Sequence, residues 1–162
     1  MQIELLEPGA AIPKGRGYVG VGKAGDEIFF PHVDSCCAVV GVFNDGAIIG
    51  GHIGAEWPGV GVNRAFSTQR VFTLMTANMR RVKADEIKNL ALVYPHETGW
   101  DKEVNAILQT WYTDGFVNVD TRMAGSGVDV LVTHTHVFVT DLKTNLTKEF
   151  VFSEDPQAKT FP

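Results

Sequence analysis

Short apolar runs separated by turn residues fill the first third of the chain: Tyr18–Val21, Glu27–Phe30, Ala38–Phe43 and Ala47–Ile53. Each has the length of a strand, and the glycines, prolines and acidic or amide residues between them are strand breakers. Asp45-Gly46, between the last two runs, marks a tight hairpin. From Cys37 to Phe43 every position is apolar or glycine, which predicts a strand covered on both faces. A Gly-rich stretch from Gly54 to Gly61 leads to a helix over about Arg64–Arg81. There Val71, Leu74, Met75 and Val82 recur at helical spacing, and Arg80 and Arg81 meet the negative end of the helix dipole. Asn89–Tyr94 returns to strand. Thr98-Gly99-Trp100-Asp101 has the spacing of a capping box ahead of a second helix, in which Val104, Ile107, Leu108, Trp111 and Tyr112 share a face and Gly115 is the stop. Phe116–Val119, Val128–Thr133, Val137–Leu142 and Glu149–Phe152 complete the pattern as strands, with a turn at Lys143-Thr144-Asn145. The expected fold is α+β, with roughly eight strands and two principal helices. The helices cover one face of a sheet, and the terminal strands cover its other face as in a β-sandwich.

Composition narrows the class. The chain has 162 residues, the size of one domain. Residues 1–17 are expected as a lead-in, 18–152 as the core and 153–162 as a tail. Lys plus Arg is 14 against 19 Asp plus Glu, a net charge of −5, and binding to a nucleic-acid backbone needs the opposite surplus. No window approaches the roughly 18 to 20 apolar residues of a membrane span. Met1–Pro8 carries no basic start, apolar stretch or small-residue cleavage site, so the expected compartment is a cytoplasm, or a host cytoplasm reached by a route that needs no signal peptide. Both cysteines are adjacent, Cys36 and Cys37. A disulfide between strand neighbours would be strained, and free thiols fit a reducing compartment.

Two motifs invite a reading and do not carry it far. Gly17 to Lys23 spells the start of a phosphate-binding loop, and Gly20 to Gly25 spells GxGxxG. Both need a helix next, whose first N–H groups hold the phosphate, whereas the apolar run through Ile28, Phe29 and Phe30 predicts a strand. His134-Thr135-His136 is expected to place two imidazoles on one face of a strand, the start of a metal site that Asp141 or His32 could join; no spacing specifies a third ligand. His96 reads as a surface loop residue.

The hairpin of residues 34–52 holds the chemistry. A thiol enters one strand and His52 leaves the other. A two-residue turn at Asp45-Gly46 opposes Asn44 to Ala47 and so His52 to Val39, on the side of Cys37. A two-residue turn at Asn44-Asp45 sets Cys37 directly opposite His52. Only an odd-length turn puts His52 on the side of Cys36. The common two-residue turns therefore select Cys37 with His52, the alternative being two small apolar residues in a buried strand.

Ser35-Cys36-Cys37, the apolar strand, the short turn and Gly50-Gly51-His52 resemble the chemoreceptor glutamine deamidases of the CheD type and, more distantly, the catalytic domain of the cytotoxic necrotizing factor toxins. The later order of Gly/Pro-rich loop, helix, strand, helix and terminal strands is similar too, and the likeness spans about residues 20–152 in outline. It implies a cysteine-dependent amidohydrolase that deamidates glutamine side chains of a protein substrate through a thioester, without metal or organic cofactor. Cys37 is then the nucleophile and His52 the base. His32, Asp34, Ser35 and Cys36 are candidates for orienting the histidine or holding the oxyanion, and Glu56 and Trp57 for shaping the mouth. Three departures stand out. Pro31 and His32 lie where the CheD type has a Thr, Cys36 lies where a Ser commonly precedes the nucleophile, and the stretch from His52 to Pro58 is longer. The absent Thr tilts the role towards a toxin or effector. Two other readings remain open: a catalytically silent binding or scaffold protein of the same fold, and a metal-dependent enzyme centred on His134 and His136.

Overall fold

A computed structural model describes residues 3–6, 17–57, 61–79, 87–96, 99–111 and 113–162. In chain order the elements are β1 (Ile3–Leu6), β2 (Gly17–Gly22), β3 (Ile28–Val33), β4 (Cys37–Phe43), β5 (Ile48–Ile53), β6 (Glu56–Trp57), β7 (Gly61–Val62), α1 (Arg64–Met79), β8 (Ile87–Tyr94), α2 (Asp101–Thr110), β9 (Gly115–Asp120), β10 (Val128–Val132), β11 (His136–Asp141), β12 (Thr147–Val151) and β13 (Lys159–Thr160). They form a seven-stranded sheet in the order β1-β2-β5-β4-β8-β9-β13, a four-stranded sheet β12-β11-β10-β3, and the small ladder β6-β7.

The architecture is α+β in three layers. One face of the seven-stranded sheet packs on the helices, burying Val39, Ile49, Ile53, Leu90 and Leu92 against Val71, Met75, Val104 and Ile107. Its other face packs on the four-stranded sheet, burying Ala38, Val40, Val42 and Ile48 against Phe30, Val130, Val132, Val137 and Val139. β4 lies at the middle of the large sheet and is buried at every position, as its unbroken apolar run requires. Gly50 and Gly51 make β5 thin where both layers meet it. A Cβ on Gly51 would lie 2.7 Å from Val71 and 2.8 Å from Met75 of α1, and one on Gly50 would lie 3.0 Å from Ile28 and Phe30 of β3. None of the described helices is long and apolar enough to cross a membrane.

Several boundaries differ from the sequence reading. β3 runs on through Pro31 to Val33, which its place at a sheet edge permits because proline's missing N–H removes no ladder bond there. Part of the lead-in, Ile3–Leu6, pairs parallel with β2. The tail is not loose: β13 pairs parallel with β9 and Phe161 is 1% exposed between the sheets. The second helix ends at Thr110, where Trp111 turns extended, and Gly115 opens β9 instead of stopping the helix. Trp100 holds its N-cap position without a side-chain cap bond. The expected cap residue Thr98, the helix end at Arg80 to Val82, and Tyr112 lie outside the described residues.

Candidate functional site

The hairpin between β4 and β5 settles which thiol faces which way. Gly46 N–H donates to Phe43 O at 3.0 Å, and Phe43 N–H donates to Ala47 O at 2.8 Å. The loop is thus Asn44-Asp45-Gly46, with Gly46 at φ +88° and Asp45 Oδ1 accepting the Ala47 N–H at 2.9 Å. A three-residue loop closed by a left-handed glycine is the next most common hairpin connection after the two-residue turns, and its odd length moves the register by one. His52 pairs with Ala38, and Cys37 with Ile53. The expected partnership of Cys37 with His52 is therefore corrected: their side chains leave opposite faces of the sheet.

Cys37 joins the helix-side core with Ile53, Leu92, Tyr94, Trp100 and Val104, and is 0% exposed. Burial pushes its thiol well above the ordinary 9.0, and the charges of Cys36 and Glu103 push it further. Such a thiol keeps its proton and is a poor nucleophile. His52 points the other way, between the sheets, 0% exposed. The Phe30 ring meets its imidazole nearly at right angles, 85° with centroids 6.3 Å apart. β3 thus presents an apolar ring to the histidine, not a hydroxyl.

Cys36 is half-buried in the bend of residues 34–36 that opens β4. Continuing the strand's alternation backwards from Ala38 places it on the His52 side, diagonal to the histidine. The bend is pinned from the opposite layer: the indole N–H of Trp100, itself 0% exposed, donates to Ser35 O at 2.8 Å. Arg64 lies over the Trp100 ring at 5.4 Å. Sequence reasoning had Trp100 only as a helix neighbour, and nothing in its spacing signals a bond to a residue so far away along the chain.

The remaining candidates divide. Asp34 and Ser35 are exposed in the same bend. His32 is half-buried with a left-handed backbone at φ 54°. Its N–H donates to Asp129 Oδ1 at 2.9 Å, and Gly127 packs beneath its ring. Glu56 is exposed on β6, which follows the strand of His52. The Trp57 side chain lies outside the described residues. His134 and His136 do not share a strand face, because the chain reverses between β10 and β11 at His134-Thr135, with Thr133 N–H bonded to His136 O at 2.9 Å. His136 is held by Glu149 at 3.1 Å and Thr135 at 2.6 Å. Among the described residues no three His, Cys, Asp or Glu side chains gather as metal ligands would. The Gly17–Lys23 stretch is β2 and a turn, and Lys23 N–H bonds Asp26 rather than opening a helix. His96 is more than a surface residue: half-buried, it stacks on Tyr94 at 4.6 Å and 18°. No protein-family model matches this chain, and no curated protein matches it in sequence.

Proposed function

We propose that the chain is a cysteine-dependent amidohydrolase that deamidates glutamine side chains of a protein substrate, with Cys36 as the nucleophile and His52 as its base. The observation that carries the reading is the odd-length hairpin loop, which sets His52 on the Cys36 side of β4 while Cys37 is sealed against the helices. With the nucleophile at Cys36, the residue before it is Ser35, the type that the CheD-like deamidases commonly have there. One of the departures from that family is thereby removed. The order of loop, helix, strand, helix and terminal strands also agrees with the resemblance.

Chemistry assigns the roles. A free thiol is only slightly ionised at neutral pH, and a neighbouring imidazole raises its thiolate fraction. Cys36, the half-buried member of the pair, is the one a substrate carboxamide can reach. The thiolate adds to the carboxamide carbon, and in this reading backbone N–H groups of the 34–36 bend and of Cys37 receive the oxyanion, each such donor contributing about 3 kcal/mol. The imidazolium of His52 gives its proton to the departing amine, which leaves as ammonia. Water then adds to the thioester, and its collapse returns the thiol and leaves glutamate. Phe30 of β3 stands against the His52 ring, and a backbone carbonyl orienting His52, as in the toxin-like arrangement, fits this environment.

The test is ammonia release, together with a mass gain of about one dalton per site in the protein substrate, as replacement of NH₂ by OH requires. Activity that survives a chelator and is lost in Cys36→Ser upholds the reading. A Cys36→Ser protein that still deamidates removes the nucleophile, and wild-type protein with ordinary reactivity at Cys36 favours a binding module of this fold.

A further inference from the structure

The parallel strands β8, β9 and β13 end together at one edge of the large sheet. A cavity of about 650 Å3 opens there beneath the first turns of α2. Its walls include Tyr94, the last residue of β8, Asp120, the last of β9, and Asp101, the first of α2. The crevice outside the carboxyl ends of parallel strands is a usual place for a ligand in open sheets.

Two residues of the cavity wall carry buried polar atoms that have no hydrogen bond among the described residues. Asn118 is 7% exposed, and its Nδ2 donates to Pro156 O at 2.9 Å. Its Oδ1 is buried with no hydrogen bond. His96 Nε2 is likewise buried with no bond, while the ring stacks on Tyr94. An unpaired buried acceptor is costly, so a group that donates to it is favoured. The charges decide which donor. Asp120 is saturated: it accepts the backbone N–H groups of His96 and Arg122, and its second oxygen pairs with Arg122 Nε at 3.0 Å. That pair cancels and leaves the carboxylate of Asp101, which among the described residues receives a long 3.5 Å bond from Tyr94. Burial and the Asp101 charge both raise the Tyr94 hydroxyl, in keeping with a negative local field.

We infer that this cavity binds a guanidinium or ammonium group, with Asn118 Oδ1 accepting its N–H and Asp101 as the counter-charge. The cation comes either from a free small molecule or from a basic side chain of a protein partner. This inference does not rest on the Cys36 reading, because its readout is binding.

The experiment titrates the full chain with L-arginine methyl ester, with the neutral N-acetyl-L-citrulline methyl ester, and with the blocked peptide acetyl-Gly-Arg-Gly-amide, following amide chemical shifts and melting temperature. The arginine ester is expected to bind and to shift amides at the ends of β8 and β9, and the citrulline ester is not. The blocked peptide binding as well as the ester identifies a protein side chain as the source, and ester binding alone identifies a free amino compound. Asp101→Asn, at an exposed helix start, is expected to weaken binding by about fivefold, and Asn118→Leu by about tenfold or more. Failure of both cationic probes to bind, equal binding of the citrulline ester, or unchanged affinity in Asp101→Asn overturns the inference.

Discussion

Cys36 and Cys37 are adjacent, yet they meet different solvents and different partners. Native protein treated with iodoacetamide is expected to be alkylated at Cys36 and spared at Cys37, with an apparent pKa for the reaction below about 8.5. In His52→Ala the reaction should return to ordinary thiol behaviour, and turnover should fall by about 10² to 10⁴. Peptide mapping of the labelled protein decides it, and label on Cys37 would count against the register described above. Cys36→Ser should abolish ammonia release, whereas Cys37→Ser should keep it while losing about 1 to 3 kcal/mol of stability to a buried hydroxyl. The Cys37 thiol also leaves a thermodynamic trace. Its folded pKa is raised, so above 9.0 the unfolded chain releases a proton that the native state holds. The native state then binds more protons, and stability falls as pH rises, by up to about 1.4 kcal/mol per unit. Urea unfolding at about pH 8 and about pH 10 should show this loss in wild type and a smaller one in Cys37→Ser. Equal slopes would mean that Cys37 is not sealed in the core.

Among the elements, β5 and its turn hold the site in place. Gly51→Ala drives a Cβ into Val71 and Met75 at 2.7 and 2.8 Å, so α1 must move outward, at about 1 to 3 kcal/mol. A urea midpoint unchanged by this substitution would mean that α1 does not rest on β5. Much of this level is written in the sequence: the unbroken apolar run of β4, the helical spacing of Val71, Met75, Val104 and Ile107, and the strands flanking His134. The length of the loop is not. Asn44-Asp45-Gly46 satisfies a two-residue and a three-residue connection equally in residue type, and the choice rests on the Asp45 carboxylate accepting the Ala47 N–H and on the fit of β4 between β5 and β8. That single residue moves the proposed nucleophile from Cys37 to Cys36. Pro31 hid the end of β3 for a related reason, since proline's strand penalty vanishes at an edge that only the tertiary arrangement defines. Asn118 reads in the sequence only as a strand residue and Asp120 falls just past that strand's expected end, since the cavity they line needs β13 and α2 folded over them.

At the scale of the whole molecule, helix layer, large sheet and small sheet are fastened by residues from both ends of the chain. Phe161, 1% exposed between the sheets, was assigned to a tail because two-residue β13 leaves no periodicity to read. Phe161→Ala is expected to cost about 3 to 5 kcal/mol, seen as a lowered melting temperature. A melting temperature equal to wild type would show that the end of the chain does not anchor the sandwich. The position of the three-residue loop has a kinetic consequence. In the seven-stranded sheet, β4 and β5 are the one antiparallel pair, among the described residues, joined by a tight turn; their outer neighbours β2 and β8 arrive across other elements. Local pairing carries the smallest closure entropy, so this hairpin is the natural seed of the large sheet. Gly46→Ala, which strains a backbone at φ +88°, should therefore slow refolding in proportion to the stability it removes and leave the unfolding rate nearly unchanged. The chain would thus commit to the facing of its two sulfurs at the outset of folding, before the second sheet closes over His52.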